Sequence, residues 1–148
     1  MSQSRISRRN LILAAIAVAG AGGAWYMTRL PFEGQVMTPD QAHALANVGA
    51  LVLVDIRRPD EWEATGVGAG ASPIDMRDDE FITKLKELVG DDLSLPVALI
   101  CARGVRSNRM SQRLKGAGFT QIIDVPEGML GSSIGPGWLA RGLPVEQP

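Results

Sequence analysis

PVALICARGVRSNRMSQRLKGAG, residues 96–118, decides the fold. It opens on an apolar run, Val97, Ala98, Leu99 and Ile100, short and bounded by Pro96, which reads as a buried strand. It closes on a helix over 107–117, with Met110 and Leu114 facing inward and Gly116 or Gly118 as the stop. Between them a short turn holds the only cysteine of the chain, Cys101, together with Gly104. A buried strand that turns directly into a helix is the repeating unit of a parallel sheet.

The pattern recurs on both sides of this stretch. LVLVD at 51–55 and QIIDV at 121–125 read as further buried strands, and ASPIDM at 71–76 as a shorter one. Thr38 caps a first helix, Pro39 suits its first helical position and Gln41 closes a capping box, while Ala42, Leu45 and Ala46 supply the apolar face. His43, in the same helix, reads as a surface residue. RRPDEWEATG at 57–66 reads as a loop with one helical turn. Asp78 or Asp79 caps the next helix, which places Phe81, Ile82, Leu85, Leu88 and Val89 at helical spacing and stops at Gly90. GSSIGPG at 131–137 is the most flexible-looking segment of this part, either a loop near the site or a linker to a last turn at 138–141. Trp62 and Trp138 read as packing residues. Strands that are apolar throughout, alternating with helices, indicate an α/β fold whose parallel sheet is covered on both faces.

Ligands of an open parallel sheet bind beyond the carboxyl ends of its strands. Cys101 sits at that end of the 97–100 strand. Gly104 permits the backbone angles of a tight turn. In such a turn several N–H groups can point inward as an anion nest, and the following helix adds the positive end of its dipole. Arg103 and Arg106 add full charges, whereas Arg109, Arg113 and Lys115 read as a solvated helix face. Nest, dipole and charge all favour thiolate over thiol, and the thiolate is the nucleophile. The bland alternative is a buried structural thiol, since cysteine is often a small hydrophobe. Asp55 ends a buried strand, where a carboxylate needs a partner, so Asp55 and Arg57 read as organisers of the core edge near the turn.

Composition narrows the remaining choices. The chain has 148 residues, 45% hydrophobic and 21% charged, with a formal charge of −1. That is room for one domain, with no global signal for nucleic acid. One Cys and one His exclude an internal disulfide and leave a zinc cluster of the usual kind without ligands. The expected chemistry uses a lone thiol, no metal and no cofactor.

The first thirty residues are basic, then apolar, then small. Arg5, Arg8 and Arg9 precede a 17-residue stretch, 11–27, without a charge. That order matches an export signal, and SRRNLI at 7–12 resembles the twin-arginine type. Ala19, Gly20 and Ala21 offer a cleavage site, and removal would leave 12 basic against 16 acidic side chains, a net charge of −4. The alternative is a retained N-terminal membrane anchor with Trp25 and Tyr26 at the outer interface. Residues 1–30 are thus expected to be a signal peptide or anchor and 31–148 a single domain. The export machinery would be a partner, and the domain would be periplasmic or otherwise extracytoplasmic, free or held to the membrane.

The turn itself, Cys101-Ala102-Arg103-Gly104-Val105-Arg106-Ser107, resembles the active-site loop of the rhodanese (sulfurtransferase) family, six residues from the nucleophile to Arg106. Other segments agree in order. Asp55, Arg57, Glu61 and Trp62 resemble the family's Asp-x-Arg-x-x-x-Glu-aromatic segment, and Thr65-Gly66-Val67 and Gly70-Ala71 the stretch before its next strand. Gly116-Ala117-Gly118-Phe119 and Glu127-Gly128 resemble its later landmarks. The resemblance implies a five-stranded parallel sheet with helices on both faces. It implies that Cys101 takes a sulfane sulfur from a small anionic donor such as thiosulfate, holds it as a persulfide and passes it to a thiophilic acceptor, with a protein acceptor as a further candidate. Arg103, Gly104, Val105 and Arg106 would form the substrate-binding turn, supported by Asp55, Arg57 and Ser107. The sequence departs from the family at Ala102, where many members carry Arg or Lys, and at Gly66-Val67, where many have Gly-His-Ile.

Two other readings compete. Cysteine phosphatases and arsenate reductases also set a cysteine and an arginine around an oxyanion loop, but phosphatase loops of this kind place five residues between them, and here there are four. A smaller nest suits sulfur better than a phosphoryl group. A non-catalytic binding module would have no need of Cys101, Gly104 and Arg106. A sulfur carrier serving a partner protein lies between enzyme and module.

Overall fold

A computed structural model describes residues 35–148. The expectations for residues 1–30 lie outside them. Among the described residues no helix is long and apolar enough to cross a membrane. The elements run β1 (Gln35–Val36), α1 (Pro39–Asn47), β2 (Val52–Asp55), α2 (Pro59–Thr65), β3 (Val67–Gly68), β4 (Ala71–Pro73), α3 (Phe81–Leu88), β5 (Val97–Ile100), α4 (Val105–Gly116), β6 (Ile122–Val125) and β7 (Val145–Glu146).

Five strands form one sheet in the order β1-β6-β5-β2-β4, and every neighbouring pair is parallel. The alternation of side chains along each strand divides the core in two. Val54, Ile56, Leu99 and Cys101 face Phe81 and Leu85 of α3 and Met110 and Leu114 of α4. Leu53, Ala98, Ile100, Ile123 and Val125 face the opposite way, toward Ala42 of α1, Met129 and Trp138. Both faces are covered, which is why the central strands β2, β5 and β6 are mostly apolar and β5 is apolar throughout.

The expected elements of this domain are present, with shifted edges. The capping box forms: the Gln41 N–H donates to Thr38 Oγ1 at 3.4 Å and the Thr38 N–H to Gln41 Oε1 at 3.0 Å. RRPDEWEATG is more than a loop with one turn, since α2 spans seven residues and carries Trp62 into the interior. Neither Asp78 nor Asp79 caps α3. Its N-cap is Glu80, and Asp78 Oδ1 accepts from the Glu80 N–H at 2.8 Å, ahead of the helix. Helix α4 begins at Val105, two residues before the expected start, because Gly104 takes the N-cap position in the left-handed region at φ 81°. His43 is half-buried rather than on the surface. Its ring meets Trp138 edge-on at 5.3 Å and Nδ1 lies 3.2 Å from the Ala69 carbonyl.

Strands β1, β3 and β7 have no counterpart in the sequence reading. Each has two residues, and each exists through a distant partner. β1 joins β6 at the sheet edge, while β3 and β7 form a separate antiparallel pair in which Val67 faces Glu146 and Gly68 faces Val145.

The chain leaves β2 to one side, toward β4, and returns to the other side as β5. The carboxyl ends of β2 and β5 therefore flank the point where strand order reverses, which is where an open parallel sheet leaves a crevice. Asp55 ends one of these strands and Cys101 follows the other.

Candidate active site

The turn after β5 is held by backbone contacts. Met129 N–H donates to the Cys101 carbonyl at 2.8 Å and Leu130 N–H to the Ala102 carbonyl at 2.9 Å. Two glycines let the strands of this knot approach. A Cβ on Gly104 would overlap the Pro126 carbonyl, and one on Gly128 would overlap the Ala102 carbonyl. Both residues have positive φ, 81° and 69°, which costs a side chain more than it costs glycine.

Cys101 is 1% exposed. Its Sγ accepts the Gly104 N–H at 3.2 Å, the one amide of the expected nest that reaches it. Ser107 Oγ lies 3.7 Å from the same sulfur and donates to the Gly104 carbonyl at 2.9 Å. Ser107 thus ties the first turn of α4 to the loop and lines the buried side of the thiol. Val105 opens α4, and its side chain is exposed.

The two arginines of the turn are placed differently. Arg103 is exposed and makes one long contact, Nη1 to the Gly131 carbonyl at 3.4 Å. Arg106 is clamped: Nη1 and Nη2 donate to Glu61 Oε2 and Oε1 at 2.7 and 2.6 Å. Glu61 chiefly, and the Cys101 sulfur to a lesser degree, push the Arg106 pKa up from its ordinary value against the effect of burial. The Arg106 hydrogen bonds outweigh the effect of burial and hold the Glu61 carboxyl at about 2, against an ordinary value of 4.5. Glu61 is therefore ionised in neutral and mildly acid solution. It stands four residues beyond Arg57 in the quoted motif, yet its partner is 45 residues away, so no local pattern announces the pair.

Asp55 and Arg57 do organise the core edge, as the burial argument requires. Asp55 is 0% and Arg57 1% exposed. Arg57 Nη2 donates to Asp55 Oδ2 at 2.7 Å and Nε reaches both carboxylate oxygens at 3.0 Å. The remaining donors go to the Glu61 carbonyl at 3.2 Å, Thr65 Oγ1 at 2.8 Å and the Gly66 carbonyl at 2.6 Å. Arg57 thereby fixes α2, and α2 presents Glu61 to Arg106. Neither Asp55 nor Arg57 bonds the sulfur; their link to the turn runs through α2 and Glu61 to Arg106.

Residues 131–137 lie beside the site and are not a loose linker. The segment is organised by Glu127, a residue the sequence marked only as a landmark. Glu127 Oε2 accepts from the Gly137 N–H at 3.0 Å, and both oxygens pair with Arg141 at 2.8 and 2.7 Å. Ser132 Oγ donates to the Pro126 carbonyl at 2.9 Å. Among the described residues no group of three or more His, Cys, Asp or Glu could hold a metal ion.

Comparison with known proteins adds four findings. Residues 38–132 match the family model described as "Rhodanese-like domain". A thiosulfate sulfurtransferase, GlpE of Stutzerimonas stutzeri (strain A1501), is 33% identical over 91 residues, 61% of this chain and 76% of that protein. Among solved structures, Rv0390 from M. tuberculosis superposes with a TM-score of 0.59 at 28% identity, over 78% of this chain and 98% of the other. The polysulfide-sulfur transferase homodimer of Wolinella succinogenes gives 0.55 at 23% identity, over 95% and 93%, a likeness of fold.

Proposed function

The chain belongs to the rhodanese-like family, and we propose that it is a sulfurtransferase whose Cys101 carries a sulfane sulfur as a persulfide from thiosulfate, or a similar small anionic donor, to a thiophilic acceptor. The observation that carries this reading is the placement of Sγ at the crevice end of β5 with the Gly104 N–H directed onto it at 3.2 Å. The Cys101 thiolate attacks the outer sulfur of thiosulfate, the S–S bond of the donor breaks, and sulfite leaves with the bonding electron pair. An acceptor such as cyanide then attacks the outer sulfur of the persulfide, and the thiolate leaves. Arg103 supplies positive potential where sulfite departs, and Arg106, paired with Glu61, adds a smaller share. The Gly104 N–H holds the sulfur that carries the charge. Both half-reactions are thiol capping chemistry and need no metal or cofactor.

Intact mass spectrometry tests this. The purified domain should gain the mass of one sulfur atom with thiosulfate and lose it with cyanide. A reduced, accessible thiol that gains nothing from thiosulfate or any other sulfane donor would end the proposal.

The export reading belongs to the same proposal. It rests on Arg8 and Arg9 before the uncharged 11–27 stretch. The full chain should fractionate outside the cytoplasm, and the double substitution Arg8→Lys, Arg9→Lys should leave it inside. Identical distributions for both would remove the twin-arginine assignment.

A further inference from the structure

A sulfur-transfer site that receives anions needs uncompensated positive charge at its mouth, and here one of the two cations is already taken. The planar fork of Arg106 lies on the Glu61 carboxylate through two charge-assisted bonds, at 2.7 and 2.6 Å. Glu61 cannot swing away freely, because its Oε2 also accepts the Arg58 N–H at 3.1 Å and lies 3.5 Å from Arg58 Nε. Arg106 stands five residues after Cys101 in the turn that holds the reacting atom, so its clamped charge belongs to the rim of the site. Arg103, exposed and with a single 3.4 Å contact, is the uncompensated cation.

We infer that Glu61 sets the donor selectivity of the site: by occupying the fork of Arg106 it withholds that charge from the incoming anion and shifts the preference from doubly charged donors such as thiosulfate toward singly charged ones such as thiosulfonates. The inference rests on the Cys101 persulfide reading. Its physical basis is that a carboxylate beside the path repels a dianion with twice the energy it exerts on a monoanion, so the rate factors differ as a square.

Thiosulfate and methanethiosulfonate make a matched pair. In each, the thiolate takes the outer sulfur, the S–S bond breaks, and sulfite or methanesulfinate leaves with the electron pair. Second-order loading rates at Cys101 are read by quenched-flow intact mass. Glu61→Gln keeps the shape of the side chain and an oxygen for the Arg58 N–H. It should speed methanethiosulfonate about threefold and thiosulfate about tenfold at low salt, a shift of about threefold in their ratio that shrinks as salt rises. Glu61→Asp should keep the wild-type ratio.

Arg103→Gln gives a second arm at an exposed position on which folding does not depend. It should move the ratio about threefold the other way. Equal changes for both donors in Glu61→Gln, in either direction, would make Glu61 a mere strut and overturn the inference, as would an unchanged ratio in Arg103→Gln. Wild type that gains no sulfur from either donor fails at the earlier step and takes both readings with it.

Discussion

Cys101→Ser is expected to lose sulfur transfer by at least about a thousandfold while keeping its fold. The chemistry requires a sulfur that can both attack sulfane sulfur and leave again. A hydroxyl can do neither at neutral pH. The fold has much less at stake. Serine is slightly smaller, and its oxygen can accept the Gly104 N–H that now meets Sγ at 3.2 Å. The site is 1% exposed, so the change exchanges one buried, hydrogen-bonded side chain for another. The melting temperature should move by no more than about 5 °C. Steady-state turnover with thiosulfate and cyanide, read beside a thermal melt, separates the two effects. Residual turnover within tenfold of wild type would remove Cys101 as the nucleophile.

Arg57→Ala carries the largest expected cost to stability, about 3–5 kcal/mol, a large share of the 5–15 kcal/mol that holds a domain together. The substitution leaves Asp55, 0% exposed, as a buried carboxylate without its cation. It also strips donors from the Glu61 and Gly66 carbonyls and from Thr65 Oγ1. Arg57→Lys should recover little, because one ammonium cannot replace a guanidinium that reaches Asp55, Glu61, Thr65 and Gly66 at once. Because α2 carries Glu61, the damage should extend to the clamp on Arg106. Denaturant unfolding of the purified domain measures the loss, and one below about 1 kcal/mol would mean that the web is not a buried structural unit.

The features readable in the sequence are those fixed by neighbours along the chain. Thr38 and Gln41 announce α1 because a capping box is closed within four residues. Val97, Ala98, Leu99 and Ile100 announce β5, and the turn at Cys101 and Gly104 is legible because cysteine, glycine and arginine stand together. What was not legible depends on residues far apart. Glu61 meets Arg106 across 45 positions, and Arg141 meets Asp40 across 101. β3 and β7 are too short to have a period and form only by pairing with each other. The cap of α3 was misplaced because Asp78 does bond a nearby N–H, but that of Glu80, ahead of the helix. His43 was misread because nothing near it in sequence foretells Trp138 as a neighbour.

The interlock of Gly104 with Pro126 and of Gly128 with Ala102 is main chain against main chain. It does not depend on the side chains at 102, 103 and 105, none of which is buried. On the proposed reading, the cradle of the sulfur is main chain, while the side chains at 102, 103 and 105 surround it without building it. Variation at 102 and 105 can alter what approaches the thiol without rebuilding the cradle around it, and a combinatorial library at those two positions is expected to keep the fold of the turn. The departure at Ala102 falls among those three side chains and leaves the interlock of the two glycines untouched.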